Sequence, residues 1–366
     1  MRILGVDLAR GFALVAVFVA HTAPIGGDSP LGIRWLQLSD HVAAPLFTLL
    51  LGVSAGLASR ASATAIAADT ATATATDTVS APDRVDARRA FRCSFALRGI
   101  LLVALGLLAG LAGAQVIPIL HYLGVVSLLL VPVLFLRARW LLLLAAVTVI
   151  VSAVAMPLAL SVQLNLIVDA ATGGFAWGDQ TAATLIGFFF SDYGYRVSGL
   201  LAFALTGLAV SKVALTTRRG LVGLGLAGAL LIAVALVGFA VTGGSLVPYS
   251  GTAPELLKAV GLACLALAVC CGLASTPVAR LLAPVSALGS VTLTFYLAHI
   301  AVLGMWAHLT SASDDSWPLL LGLCAGSLLG AWLLRRRWRR GPAEWLVWTL
   351  TRAPVRRPGR SWLPPA

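Results

Sequence analysis

Apolar stretches of about 20 residues recur along this chain, and an α-helix of that length crosses a lipid bilayer. Of the 366 residues, 59% are hydrophobic and 11% are charged. A water-soluble fold cannot bury so much apolar surface, so the composition excludes a soluble globular protein. We predict an all-α polytopic membrane protein with about ten transmembrane helices. The predicted spans cover residues 8–25, 39–59, 95–113, 115–136, 139–160, 196–214, 220–243, 254–275, 285–309 and 317–335.

The positions of the basic residues predict the orientation in the membrane. With the N-terminus in the cytoplasm, the 26 Lys and Arg residues all fall on the cytoplasmic side except Arg34, Arg196 and Lys258. This asymmetry predicts that both termini are cytoplasmic. The net charge of +12 lies at the ends of apolar runs, so we expect the partner to be the lipid bilayer and not nucleic acid.

Asp7, Arg10 and His21 share one face of the first predicted helix. At about 100° per residue, Asp7 lies roughly 60° from Arg10, and His21 lies roughly three turns plus 20° beyond Arg10. Ionisable groups in a membrane helix are costly and usually face a cavity or a partner, so this stripe is a candidate functional site. The alternative is that Arg10 is a cytoplasmic anchor and His21 a polar residue at the membrane interface.

A second candidate site lies at the outer start of the second predicted helix, at a depth similar to that of His21. Asp40 and His41 are adjacent there, and a His–Asp arrangement could provide a general base with its orienting group. The alternative is a solvated helix start in which Asp40 is the N-cap.

Polar residues also interrupt two other apolar helices. Thr292, Tyr296 and His299 follow at steps of four and three, which places them on one face of the ninth predicted helix, and His121 and Tyr122 break the fourth. Each group could be an internal hydrogen-bond network or the wall of a substrate groove. No carboxylate lies at mid-membrane depth, which argues against a proton-coupled transporter. The five cysteines show no C-x-x-C spacing, and no metal site is predicted.

Three segments lie outside the predicted spans. Residues 61–82 are rich in Ala and Thr, and we predict a flexible cytoplasmic linker. Residues 161–195 form the longest external connection, in which residues 180–190 are apolar but too short to span, which predicts a re-entrant or interfacial segment. Residues 341–366 are predicted to be a basic cytoplasmic tail with an amphipathic helix on the inner membrane surface.

Several motifs resemble those of known membrane families. The opening LGVDLARGFALVAVFVAH resembles the start of bacterial proteins similar to heparan-alpha-glucosaminide N-acetyltransferase. LGSVTLTFYLAHI and RRGPAEWLVWTLTR resemble the C-terminal half of the YeiB-type membrane family. The spacing from Arg10 to His21 is similar to the R-x10-H motif of the type 3 membrane acyltransferases. The resemblance divides the chain into a heparan-enzyme-like membrane region 1–215, a YeiB-type membrane region 216–340 and the tail. It also implies a multi-pass protein of the bacterial cytoplasmic membrane.

The resemblance implies acyl transfer across the membrane, from cytoplasmic acyl-CoA to an envelope glycan or similar acceptor outside. The acyl-CoA, with acetyl-CoA as the expected form, would be a co-substrate and not a permanently bound cofactor. Arg10, oriented by Asp7, would hold its phosphate or carbonyl groups. Further phosphate partners would be the basic residues nearest the inner helix ends, namely Arg98, Arg137 and Arg139.

His21 would act as the general base or accept the acyl group. The heparan enzyme carries its catalytic histidine in the loop before the second helix, and residues 25–38 contain none, so His21 or His41 would have to substitute. There are two alternative functions: a transporter or flippase of an envelope precursor, and a non-catalytic membrane scaffold. A transporter is expected to show an internal repeat or a pair of broken helices, and the sequence shows neither.

Overall fold

The computed structural model describes residues 3–26, 29–72, 81–171, 177–192, 194–213, 215–310 and 312–352. These residues form α-helices connected by turns and loops, with no strand among them. The helices are α1 (Leu4–Thr22), α2 (Leu31–Arg34), α3 (Leu38–Thr72), α4 (Ala81–Gly110), α5 (Leu120–Leu130), α6 (Ala138–Ala171), α7 (Trp177–Ile186), α8 (Val197–Val210), α9 (Arg218–Thr242), α10 (Ala253–Leu273), α11 (Ala283–Ser290), α12 (Thr292–Leu309), α13 (Trp317–Arg337) and α14 (Pro342–Arg352).

The helices confirm an all-α polytopic membrane protein. In the described part of the chain, eight helices are long and apolar enough to cross a membrane: α1, α3, α4, α6, α9, α10, α12 and α13. Two shorter apolar helices, α5 and α8, account for the other two predicted spans. Each predicted span therefore overlaps a helix, and the ninth overlaps two, α11 and α12, because a bilayer core requires backbone polar groups to be paired.

α1 lies at the centre of the bundle and α9 at its periphery. α1 packs against α3, α10 and α11, and its Leu14 and Phe18 are fully buried. On α9, by contrast, Leu226, Leu230 and Val237 are each more than 60% exposed. Apolar side chains exposed along a whole face of a spanning helix are the surface that contacts lipid. The central position of α1 places Asp7, Arg10 and His21 inside the protein.

Glycines bring α1 and α11 into backbone contact beside Arg10. A Cβ atom at Gly289 would collide with the carbonyl oxygen of Asp7, and one at Gly11 would collide with that of Val285. Small residues permit this close approach between membrane helices. The contact fixes the turn of α1 that carries Asp7 and Arg10.

The ninth predicted span is broken at Val291, which separates α11 from α12. The backbone of Val291 leaves the helical region, with φ −130° and ψ 36°. The backbone N–H groups of Leu293 and Thr294 donate to the carboxylate of Glu344. A break inside a membrane helix needs such a substitute partner for the freed backbone groups. The expectation of one continuous helix over 285–309 is wrong, because α14 supplies that partner.

The Ala/Thr-rich insert is partly helical. α3 continues to Thr72, so the linker prediction is wrong for residues 61–72, where alanine, the strongest helix former, recurs. Residues 73–80 lie outside the described residues. In the external connection, α7 and the π-helical turn Gly187–Ser191 form a short non-spanning segment over the predicted residues 180–190.

Candidate active site

A cavity of about 440 Å³ lies at the end of the bundle that the charge pattern places in the cytoplasm. Its apolar wall includes Leu50 and Leu51 of α3 and Leu120 and Leu123 of α5. Its basic lining consists, among the described residues, of Arg10, Arg98, Arg339 and Arg340. Guanidinium groups around a single cavity are suited to bind phosphate or carboxylate groups by charge-assisted, bidentate hydrogen bonds. We call this cavity the inner cleft.

Arg10 is held between two helices at the inner cleft. Its Nη1 donates to Oδ1 of Asp7 at 3.2 Å, and its Nη2 donates to the hydroxyl of Ser54 on α3. The Asp7 side chain is 7% exposed and the Arg10 side chain 29%, so the carboxylate is buried while the guanidinium reaches the cleft. The structure thus places Asp7 where it can orient Arg10. The contact with Ser54 was not predicted from the sequence.

The sequence predicts that α14 lies on the inner membrane surface. In the structure, α14 instead forms part of the cleft wall. It packs against α4 and α12. The two oxygens of Glu344 accept hydrogen bonds from the start of α12, including one from the Thr294 hydroxyl at 2.5 Å. The Arg340 guanidinium lies over the Trp348 ring, 3.7 Å from its centroid, and both residues line the inner cleft.

A buried histidine pair lies directly behind the inner cleft. Thr292 and Tyr296 line the cleft, and the ring of Tyr296 is 4.8 Å from that of His299. His299 is 1% exposed, and its ring stacks against His21 with centroids 5.6 Å apart and an interplanar angle of 26°. The predicted stripe on α12 and the predicted stripe on α1 therefore meet at their histidines.

Hydrogen bonding fixes the protonation pattern of His299. Its Nδ1 lies 2.5 Å from the carbonyl oxygen of Tyr296, which can only accept, so Nδ1 carries the proton. In the neutral imidazole, Nε2 then holds a lone pair and can accept a proton.

Two ring nitrogens of this pair have no hydrogen-bond partner among the described residues. They are Nε2 of His299 and Nδ1 of His21, and both atoms are buried. Buried polar atoms are normally hydrogen-bonded, and exceptions cluster at functional sites. The histidine pair therefore has the properties of a site that a substrate completes.

His41 lies elsewhere and has a partner. Its Nδ1 is 2.8 Å from Nζ of Lys258, which also donates to the carbonyl of Leu246 at 2.5 Å. Because an ammonium group can only donate, Nδ1 of His41 accepts, and the lone pair that a general base would use is occupied. His41 lines a separate pocket with Lys258 and Phe239. The geometry favours His21 over His41 as the base.

Arg137 and Arg139 are not among the described residues that line the inner cleft. Both are exposed, and the Arg139 guanidinium lies over the neighbouring Trp140 ring. Arg339 and Arg340 line the cleft in the place that the sequence predicts for Arg137 and Arg139. The signal that could have identified them is the RRGPAEW motif, in which Glu344 anchors the segment to α12.

The remaining groove residues belong to a second cluster towards the outer side. The rings of His121 and Tyr122 are 4.4 Å apart, and the Tyr122 ring stacks on Phe188 with centroids 4.4 Å apart. Tyr122 also contacts Tyr195, and its hydroxyl is hydrogen-bonded to Asp192. Nδ1 of His121 is buried without a partner among the described residues. The predicted groove is therefore divided between the inner cleft and this outer aromatic cluster.

Tyr249 extends the outer aromatic cluster and has a strained backbone. Its ring meets that of Tyr195 at 5.6 Å, and its φ of 61° lies in the left-handed region that bulky side chains rarely adopt. The buried Arg196 side chain holds this turn by donating to the Tyr249 carbonyl at 2.6 Å.

The hydroxyls of the outer aromatic cluster remain protonated over the physiological pH range. Burial raises the pKa of Tyr195 to about 12 and that of Tyr249 well above its usual value. Charge repulsion from Asp40 contributes to the upward shift of both pKa values. The Tyr249 hydroxyl donates to the Tyr195 hydroxyl, which leaves the Tyr195 proton available to a ligand.

Comparison with known proteins assigns the family. Residues 87–336 match the model of the family described as acyltransferase domain. Since the match covers more than half of the chain, the protein belongs to this acyltransferase family. Arg10, His21 and α14 lie outside the matched residues. No curated protein matches the chain. The narrower resemblance to the heparan enzyme and the YeiB-type family stays a prediction, as does the division at residue 215.

Proposed function

We propose that this protein transfers an acyl group from acyl-CoA in the inner cleft to an acceptor on the outer side of the membrane. The observation that carries the proposal is that Tyr296 lines the same cavity as the cleft arginines and contacts His299, whose ring stacks on His21. The family match supports acyl transfer as the reaction class.

The donor fits the chemistry of the inner cleft. Its phosphate groups would pair with Arg10, Arg98, Arg339 and Arg340, and its pantetheine arm would lie along the leucines of α3 and α5. From Arg10 to His21, α1 rises about 16 Å at about 1.5 Å per residue, which is the distance that the donor arm must cover. Acetyl-CoA is the simplest donor that meets these requirements.

The histidine pair would activate the acceptor. We assign His21 as the general base, with His299 beside it as a second proton acceptor. The base takes the proton of the acceptor hydroxyl, whose oxygen forms a bond to the thioester carbonyl carbon. The carbon–sulfur bond then breaks, and the leaving thiolate takes the proton back from the imidazolium, so that CoA and the acylated acceptor are released.

The outer aromatic cluster supports a hydroxyl-rich acceptor such as an envelope glycan. Tyr195 and Tyr249 are half-buried and offer ring edges and faces, and Asp192 and the Tyr195 hydroxyl offer hydrogen-bonding groups. This acceptor class would place the protein in a bacterial cytoplasmic membrane with the cluster facing the envelope.

Inverted membrane vesicles that contain the protein test this proposal, because they expose the inner cleft to the medium. We expect radiolabel from added acetyl-CoA to appear on envelope material inside the vesicles. The label should be lost in His21→Ala and retained in Arg88→Ala, since the Arg88 guanidinium is exposed and lies over Phe135 away from the cleft. Equal labelling with wild-type and His21→Ala protein would contradict the assignment of His21. Absence of label with the wild-type protein would contradict the acyl-CoA donor or the acceptor class.

A further inference from the structure

The wall that α14 contributes to the inner cleft has a different composition from the rest of the cleft. The other walls combine two arginines with aliphatic side chains and the rings of Phe47 and Tyr296, whereas α14 and the turn before it add an indole ring, Trp348, next to two adjacent arginines, Arg339 and Arg340. The family model ends at residue 336, so the match assigns no role to this wall.

The Arg340–Trp348 pair is open to the cleft and not merely a packing contact. The guanidinium carbon of Arg340 lies over the indole ring at 3.7 Å from its centroid, and both side chains line the cavity. A planar guanidinium can stack on an aromatic face and bind phosphate oxygens with its edge at the same time. The pair therefore offers a stacking surface and an anion-binding edge in one place.

The charge of the cleft also favours an anion at this wall. Among the described lining residues, Glu344 is the one carboxylate against four guanidinium groups, and Asp7 pairs with one of the four, Arg10, from outside the lining. Both of its oxygens are engaged by backbone and side-chain donors at the start of α12. A ligand carrying several phosphate groups would offset the excess positive charge.

We infer that Arg340 and Trp348 bind the nucleotide end of the acyl donor, with its aromatic base stacked on the pair and its phosphates at Arg339 and Arg340. The inference rests on the proposed function, because it concerns the same donor. In this inference, α14 belongs to the donor site. It discriminates a thioester that carries a nucleotide from a thioester without one.

Binding measurements on the purified full-length protein in lipid nanodiscs test the inference. The two probes are acetyl-CoA and S-acetylpantetheine, which share the thioester arm but differ in the nucleotide. Because stacking of a base on an aromatic side chain is worth roughly 5- to 150-fold in affinity, Trp348→Ala should weaken acetyl-CoA binding at least about fivefold. Its effect on S-acetylpantetheine should be less than about twofold.

Two conservative variants keep the test decisive if Trp348→Ala fails to fold. Trp348→Phe retains a ring and should bind acetyl-CoA nearly as the wild-type protein does. Arg340→Lys keeps the charge but loses the planar stacking group, and should weaken acetyl-CoA binding selectively. The matched control is Arg336→Lys, because Arg336 lies over Trp332 at 3.4 Å on α13, and neither residue lines the cleft.

The outcomes separate this inference from the proposed function. If the wild-type protein binds acetyl-CoA while Trp348→Ala and Arg340→Lys bind it equally well, the inference is overturned and the donor stands. Equal weakening of both probes would also overturn the inference, since the wall would then shape the cleft without reading the nucleotide. If the wild-type protein binds neither probe, the proposed donor itself is wrong.

Discussion

Glu344 ties α14 to the broken end of α12, and its removal should loosen the inner wall of the cleft. The carboxylate accepts from the Leu293 N–H at 2.7 Å, the Thr294 N–H at 3.2 Å and the Thr294 hydroxyl at 2.5 Å. An intramolecular hydrogen bond contributes about 1 kcal/mol net, and water can replace part of three such bonds at a half-buried site, so Glu344→Ala should cost about 2 kcal/mol. That value corresponds to a roughly 30-fold increase in the opening equilibrium of α14.

Hydrogen exchange of the α14 amides, followed by mass spectrometry, measures this opening. Glu344→Gln retains a neutral acceptor and should cost about 1 kcal/mol, which is roughly fivefold in exchange rate. The matched control is Thr349→Ala, because the Thr349 hydroxyl donates to carbonyls of its own helix. Unchanged exchange of α14 in Glu344→Ala would refute the reasoning, as would an equal increase in Thr349→Ala.

Three further predictions concern the cleft and the topology. Arg10→Lys should weaken acetyl-CoA binding roughly tenfold, because one ammonium group cannot reproduce the fork that reaches Asp7 and Ser54, and unchanged affinity would place the donor elsewhere. Gly289→Ala should lower the free energy of unfolding by about 1–3 kcal/mol, because the added methyl group overpacks against α1, whereas Gly322→Ala has open space around it and should not. Equal stability of the two variants would contradict the close contact. Reporter fusions at α7 should be extracytoplasmic and those between α8 and α9 cytoplasmic, and the reverse result would overturn the orientation.

The spans and the stripes could be predicted because both depend on local spacing. Helix length follows from bilayer thickness, and the helical repeat places Asp7 beside Arg10 and Tyr296 beside His299. What the repeat cannot show is which stripes face each other. The sequence predicts separate roles for His21 and His299, yet their rings stack in the structure.

The parts that could not be predicted depend on contacts between distant segments. Lys258 reaches His41 across 217 residues, and an isolated Asp–His dipeptide gives no indication of that partner. The break at Val291 involves residues that are not strong helix breakers, and its stabilising carboxylate comes from about fifty residues later. Arg339 and Arg340 look like a basic anchor in the sequence, because their place in the cleft depends on how Glu344 docks α14.

In the proposed mechanism, the buried histidine pair performs the transfer while the inner cleft binds the donor. The most direct test compares acetyl-CoA binding with label transfer in His299→Asn and His21→Asn. In His299→Asn, the amide can still donate to the Tyr296 carbonyl from the position of Nδ1. In both variants the amide provides no basic nitrogen. We predict that both variants bind acetyl-CoA within about twofold of the wild-type protein and that His21→Asn transfers no label, with transfer by His299→Asn reduced at least about tenfold. Full transfer by both variants would contradict these roles. They would also be contradicted if the variants lost both acetyl-CoA binding and label transfer.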